Sequence, residues 1–93
     1  MSNSSLATYT SISPNKTSPR TQGVDRITPH CVVGQLSAES ICGCFTSPSR
    51  QASCNYGIGT DGRISICVEE KDRSWCSSSG ANDHRAITIE CAS

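Results

Sequence analysis

The chain is poor in aromatic residues, in net charge and in long apolar stretches. Its 93 residues include one Trp, one Phe and two Tyr, and eight Lys and Arg balance eight Asp and Glu. Charge neutrality argues against nucleic acid or an anionic membrane surface as a partner. No apolar run approaches the length of a transmembrane helix. So few large apolar side chains predict one small domain with a marginal core.

The N-terminus lacks the features of a secretory signal. Residues 1–13 are polar and rich in Ser and Thr, without a basic segment followed by an apolar one. We therefore expect a protein made in the cytoplasm without a signal peptide. Residues 1–23 are predicted to be a polar lead-in that runs extended over the surface, and residues 24–93 to be the domain.

Cysteine, by contrast, is abundant, with seven in the chain. An odd number without a signal peptide disfavours a secreted disulfide scaffold, so we expect mainly reduced thiols. Cys42-Gly43-Cys44 has one intervening residue, fewer than the about two to four of structural zinc sites, and no second pair follows. We interpret four of the cysteines as small hydrophobic residues at apolar positions, namely Cys42, Cys44, Cys67 and Cys91.

The pattern of apolar and turn-forming residues predicts the order strand–helix–hairpin–loop–strand. Ser37 is the expected N-cap of a helix, and Asp61-Gly62 is a tight hairpin turn. The predicted strands are 24–33, 54–58, 63–68 and 86–91, with the helix reaching about residue 45 and a loop over 69–83. The expected fold class is α/β, a small mixed β-sheet with a helix on one face. An uncovered second face would favour self-association.

Two of these strands carry residues that suit metal-dependent hydrolysis. His30 ends a short apolar run in Ile27–Cys31, and Glu90 lies in the strand-like run Ala86–Glu90. A histidine and a glutamate from separate strands can provide a metal ligand and a general base beside it. The alternatives are a structural histidine and a solvent-facing glutamate. Pro29 is unexpected beside His30, because proline removes a hydrogen-bond donor from a central strand.

These segments resemble the zinc-dependent N-acetylmuramoyl-L-alanine amidases, a fold shared with peptidoglycan recognition proteins. The histidine at the end of the first strand, the hairpin Asn55–Gly62 and the strand Ala86–Glu90 carry the resemblance. The hairpin and the segment Val68–Trp75 are most similar to phage and prophage endolysins of Gram-positive hosts. The resemblance covers most of residues 24–93.

The resemblance implies a function and a set of roles. A zinc ion would be bound in part by His30, and Glu90 would be the general base for cleaving the amide between N-acetylmuramic acid and L-alanine of bacterial peptidoglycan. The family's other two zinc ligands, a histidine and a cysteine or aspartate, lie in a C-terminal segment. The chain is therefore expected to be an incomplete, N-terminal half of the domain, inactive by itself.

Two further residues are candidates for substrate binding. His84, just before the last strand, could donate a hydrogen bond to the substrate, and Trp75 could stack on the glycan. Their alternatives are a surface loop residue and a hydrophobic plug. Cys31 and Cys54 are unlike catalytic nucleophiles, because the adjacent His30 side chain points to the opposite strand face from Cys31.

Two function classes follow from the sequence. The first is a zinc-dependent peptidoglycan hydrolase that acts on the cell wall after release from the cytoplasm. The alternative is a non-catalytic module that keeps the cleft and binds muropeptides without cutting them. Zinc binding distinguishes the two classes.

Overall fold

A computed structural model describes residues 2–93, and its main element is a five-stranded mixed β-sheet with strand order β1-β5-β4-β7-β3. A separate two-stranded sheet pairs β2 with β6. The strands are β1 (Ala7–Thr10), β2 (Lys16–Thr17), β3 (Arg26–Val32), β4 (Tyr56–Ile58), β5 (Ile64–Ile66), β6 (Arg73–Ser74) and β7 (Ala86–Ala92). The helices are α1 (Ala38–Gly43) and α2 (Gly80–Asp83), with a 3₁₀ turn at Pro48–Arg50. The predicted α/β fold class is confirmed.

The first and last predicted strands are neighbours in the sheet. β3 and β7 run parallel over their whole lengths, from the pair Arg26 and Ala86 to the pair Val32 and Ala92. β3 is the outermost strand and has only β7 beside it. Pro29 is therefore tolerated, because an edge strand can direct a missing donor toward solvent.

The helix and the hairpin form where the sequence predicts them. The Ser37 side chain caps α1 by accepting a hydrogen bond from the Ser40 N–H, and the helix is two residues shorter than expected. β4 and β5 pair antiparallel across the turn, in which Gly62 has a φ of 83°. Gly57 lets α1 approach the sheet closely, since a Cβ atom there would lie 2.8 Å from Ile41 Cγ2. These features hold α1 against one face of the sheet.

The core between α1 and the sheet is small and contains a disulfide. Ile41, Phe45 and Cys54 are buried there together with Cys42 and Cys67. The interpretation of Cys42 and Cys67 as reduced thiols is wrong, because they form a disulfide with a Cα–Cα distance of 5.3 Å. Cys44 is exposed and Cys91 half-buried, so neither is a core residue.

The N-terminal segment adds strands to both sheets. β1 pairs parallel with β5, and β2 pairs with β6. Ser13 and Asn15 are buried, and the Asn15 amide donates to the carbonyls of Phe45, Ser47 and Ala52. The segment expected only to run over the surface thus closes one edge of the sheet.

The second face of the sheet carries no helix within residues 2–93. Apolar side chains on this open face line a groove of about 190 Å³, formed with Ser4 by Tyr56, Ile58, Ile64, Ile87 and Ile89. Ile27 on the edge strand is 67% exposed. Neither helix in the described part of the chain is long and apolar enough to cross a membrane.

Candidate metal and catalytic site

The parallel pairing of β3 and β7 brings His30 and Glu90 together. They are register partners, and His30 Nδ1 lies 3.6 Å from Glu90 Oε1. The His30 side chain is 42% exposed and the Glu90 side chain 12% exposed. The carboxylate is therefore sheltered, while the imidazole remains accessible from solvent. This pair is the candidate site.

Side-chain alternation along β7 places Glu90 on the α1 side of the sheet. Thr88 lies on the same side and is buried, whereas Ile87 and Ile89 point into the groove on the open face. In β3, Val32 packs against the α1 core, and His30 shares its side of the strand. Both site residues thus lie near the carboxyl ends of adjacent parallel strands, where ligands of α/β sheets commonly bind.

A buried network fixes β7 behind the site. Asn55 Oδ1 accepts hydrogen bonds from the Thr88 N–H and hydroxyl, and its amide donates to the carbonyls of Val68, Glu69 and Asp72. The Thr88 hydroxyl also lies 2.6 Å from Ser74 Oγ. Because these buried polar groups have partners, the network favours one position of β7 relative to the hairpin.

Cys76 is a third residue of the site that the sequence analysis did not identify. Its thiol donates to Glu90 Oε1 at a distance of 3.5 Å. Burial, and then the neighbouring Glu90 carboxylate, raise the pKa of the Cys76 thiol to about 12. The residue lies in an irregular loop after β6, so no periodicity in the sequence places it beside two strands.

The three side chains offer a donor set that suits zinc. One ligand atom each from His30, Cys76 and Glu90 lies within 4.8 Å of the others. Nitrogen, sulfur and carboxylate oxygen are the usual zinc ligands, with bond lengths of about 2.0–2.3 Å. Ligand atoms around a tetrahedral zinc are consequently about 3.3–3.8 Å apart, so small side-chain rotations would fit the cluster to the ion. We refer to these three residues as the His–Cys–Glu cluster.

The other two predicted site residues lie outside this cluster. His84 precedes β7 at the end of the strand opposite to the cluster. The strand begins at Ala86, about 13 Å from Glu90. The Nδ1 atom of His84 accepts a hydrogen bond from the Thr21 N–H. Trp75 is half-buried, and its indole N–H donates to Thr17 Oγ1 at 3.0 Å. Trp75 still neighbours the cluster through the chain, since Cys76 follows it directly.

Arg20 is a structural residue of the loop region that the sequence analysis also missed. Its guanidinium donates to five backbone carbonyls, those of Glu70, Asp72, Asp83, His84 and Ala86. A single side chain thereby holds the loop before β7 in place. Arginine suits this role because its donors have a fixed planar arrangement.

A comparison with protein-family models decides the family. The model described as N-acetylmuramoyl-L-alanine amidase matches residues 19–93. The chain belongs to this amidase family. The match includes every residue of the His–Cys–Glu cluster as well as Arg20, and it makes peptidoglycan the substrate class of the family to which the chain belongs. A search of curated proteins finds no match.

Proposed function

We propose that this chain provides a zinc ligand and the general base of an enzyme that cleaves the amide between N-acetylmuramic acid and L-alanine. The observation that carries the proposal is the pairing of His30 with Glu90 at 3.6 Å on adjacent parallel strands. Membership of the amidase family supports the same reaction.

The proposed roles follow from the chemistry of each side chain. His30 binds zinc through its neutral imidazole, for which its exposure leaves room. When bound, zinc supplies Lewis-acid activation of water and of the scissile carbonyl. Glu90 takes a proton from the attacking water and later delivers it to the nitrogen of the leaving L-alanine. The hydrogen bond from the Cys76 thiol holds this carboxylate in the cluster.

The substrate-binding residues are proposed from their positions relative to the cluster. Trp75 is proposed to contact the glycan, because it directly precedes Cys76 beside the cluster. For His84 a role in substrate binding requires a ligand that extends along the sheet to the far end of β7. The resemblance of the hairpin and of Val68–Trp75 to endolysins supports a phage or prophage setting and action on the Gram-positive cell wall after release.

The second candidate function is muropeptide binding without hydrolysis. Its supporting observation is that the described residues bring a single histidine to the cluster, and that Glu90, when it acts as the base, is not a ligand. The chain then supplies fewer than the about three protein ligands of a catalytic zinc site. For the same reason we expect the 93 residues alone to hydrolyse cell walls very slowly or not at all.

A transition-state analogue separates the two functions even when turnover is slow. The probe is a muramyl dipeptide that carries a zinc-binding hydroxamate in place of the scissile amide. For an amidase site we expect zinc to tighten its binding at least about tenfold in the wild-type chain and not in His30→Ala. Binding that is equally tight with zinc and with a chelator would instead support the non-catalytic module.

Hydrolysis is measured in parallel as the release of new L-alanine amino groups from purified Gram-positive walls. Zinc-dependent release that is lost in Glu90→Gln would establish the amidase and contradict the expected inactivity of these residues alone. The matched control is Glu39→Gln, because Glu39 lies on α1 and forms its ion pair with Arg63, away from the cluster.

We also propose that a second copy of the chain covers the open sheet face. The groove is lined by apolar side chains, and Ile27 extends the apolar surface onto the edge strand. Burial of such a surface favours association. Analytical ultracentrifugation of the wild-type chain and of Ile27→Lys tests this, and equal sedimentation of a monomer in both would contradict it.

A further inference from the structure

Cys76 has no role in the function proposed above, yet its thiol is one of the three groups of the His–Cys–Glu cluster. Its sulfur is 3.5 Å from Glu90 Oε1, and the same oxygen is 3.6 Å from His30 Nδ1. A thiol in this position is half-buried and faces the only histidine of the cluster. Sulfur binds zinc more readily than most protein donors do.

The loop that carries Cys76 is held by a buried carboxylate. Asp83 Oδ2 accepts hydrogen bonds from the backbone N–H groups of Cys76 and Ser77, each at 3.1 Å. Its other oxygen accepts from the Ser77 hydroxyl at 2.6 Å. Asp83 is fully buried. Because three donors converge on this carboxylate, the backbone at Cys76 is fixed before any ligand binds.

We propose that Cys76 is a thiolate ligand of the metal bound by His30, and that Asp83 is the positioning residue for this ligand. The inference rests on the proposed function, because it uses the same metal. On binding, the sulfur–hydrogen bond breaks, a sulfur–metal bond forms and the proton passes to solvent. Glu90 then loses the thiol as a hydrogen-bond donor and is left to act on water. The chain would then supply two protein ligands, and a single further protein ligand would leave the fourth position of the metal open for water.

None of the other cysteines is placed to serve as this ligand. Cys31 and Cys91 point to the opposite side of their strands from the neighbouring His30 and Glu90. Cys54 is fully buried, and Cys44 is exposed and belongs to no metal cluster among the described residues. The remaining two form the disulfide. Cys76 is thus the cysteine that the fold places beside His30 and Glu90.

Cobalt titration of the complete 93-residue chain tests the proposal, because a thiolate bound to Co²⁺ produces a charge-transfer band in the near ultraviolet. We expect this band in the wild-type chain and its loss in Cys76→Ser, with zinc affinity reduced at least about tenfold in competition with a chelating dye. Cys31→Ser and Cys44→Ser are the matched controls and should keep both the band and the affinity.

A second variant guards against a folding defect in Cys76→Ser. Cys76→Asp keeps an anionic ligand, so we expect it to bind zinc without showing the band. A band that persists in Cys76→Ser or Cys76→Asp, or that disappears in Cys44→Ser, would overturn the assignment.

The role of Asp83 is tested by a double-mutant cycle. Asp83→Asn should weaken cobalt binding several-fold in the wild-type background and much less in the Cys76→Ser background. Equal weakening in both backgrounds would indicate a structural role only. His30→Ala separates this inference from the proposed function: unchanged zinc affinity in that variant would contradict the function itself, whereas loss in His30→Ala but not in Cys76→Ser would contradict only the inference.

Discussion

The two faces of the β-sheet differ in how their side chains are held, although they alternate along the same strand. On the α1 face, Thr88 is buried in a network with Asn55 and Ser74, and Glu90 receives a hydrogen bond from Cys76. On the open face, Ile87 and Ile89 line an apolar groove. The α1 face is held by a network of directional polar contacts, whereas the groove on the open face is lined mainly by aliphatic side chains. The hydrogen bonds on the α1 face fix the positions of polar side chains, and a site for catalysis or metal binding requires such fixed positions.

The largest expected effect comes from removing the polar centre of the α1 face. Asn55→Ala would leave the Thr88 N–H and the Val68 carbonyl without the Asn55 side chain as partner. It would also remove one of two donors from the carbonyls of Glu69 and Asp72. We therefore expect the free energy of unfolding to fall by about 3 kcal/mol. Urea denaturation measures the change. Asn82→Ala, at a half-buried position, is the control, and an equal loss in both variants would contradict the importance of the network.

The disulfide beneath the same face should contribute a similar amount. Cys42 and Cys67 close a loop with a sequence separation of 25 residues. Chain-entropy arguments for a loop of this length give about 3.5 kcal/mol of stabilisation. We expect the double variant Cys42→Ala/Cys67→Ala to unfold at a correspondingly lower urea concentration than the wild-type chain. Its midpoint should be the same with and without a reductant. Equal midpoints for the double variant and the wild-type chain without reductant would show that the bond adds no stability.

Neighbouring substitutions in β7 compare the two faces directly. Thr88→Val keeps the side-chain volume but removes the hydroxyl from a buried network, with an expected cost of about 2 kcal/mol. Ile87→Thr on the open face leaves no buried polar group without a hydrogen-bond partner, and we expect it to lower the free energy of unfolding by about 1 kcal/mol or less. Thermal unfolding of both variants measures the difference. The reverse order would mean that the open face is covered and packed in solution.

Tyr56 lies on the open face, and its hydroxyl group makes the stability of the chain depend on pH. Burial, and then the hydrogen bond to Glu70, raise its pKa from 10.0 to about 12. Between these values the folded chain keeps a proton that the unfolded chain loses, so the free energy of unfolding should fall as pH rises through this range. Tyr56→Phe should show a flatter fall in urea titrations at pH 10 and above. Parallel curves for the two chains would contradict the shift.

Much of the fold follows from local sequence signals. Ser37 caps α1, Asp61-Gly62 forms the hairpin turn, and the alternating residues 86–90 form a strand, each where the sequence predicts it. The sequence did not predict β1, because a short and mostly exposed edge strand has little apolar periodicity. Pro29 was difficult to interpret because the sequence does not say which strand lies at an edge.

The sequence by itself determined the strands that carry His30 and Glu90, because alternation and the residue types are local properties. Only the tertiary structure decided that these strands are parallel neighbours in register, that Cys42 bonds to Cys67, and that Asp83 holds Cys76 beside Glu90. These contacts join residues between seven and 60 positions apart in the chain. Such contacts depend on the packing of the whole domain, and no local pattern of residues records it.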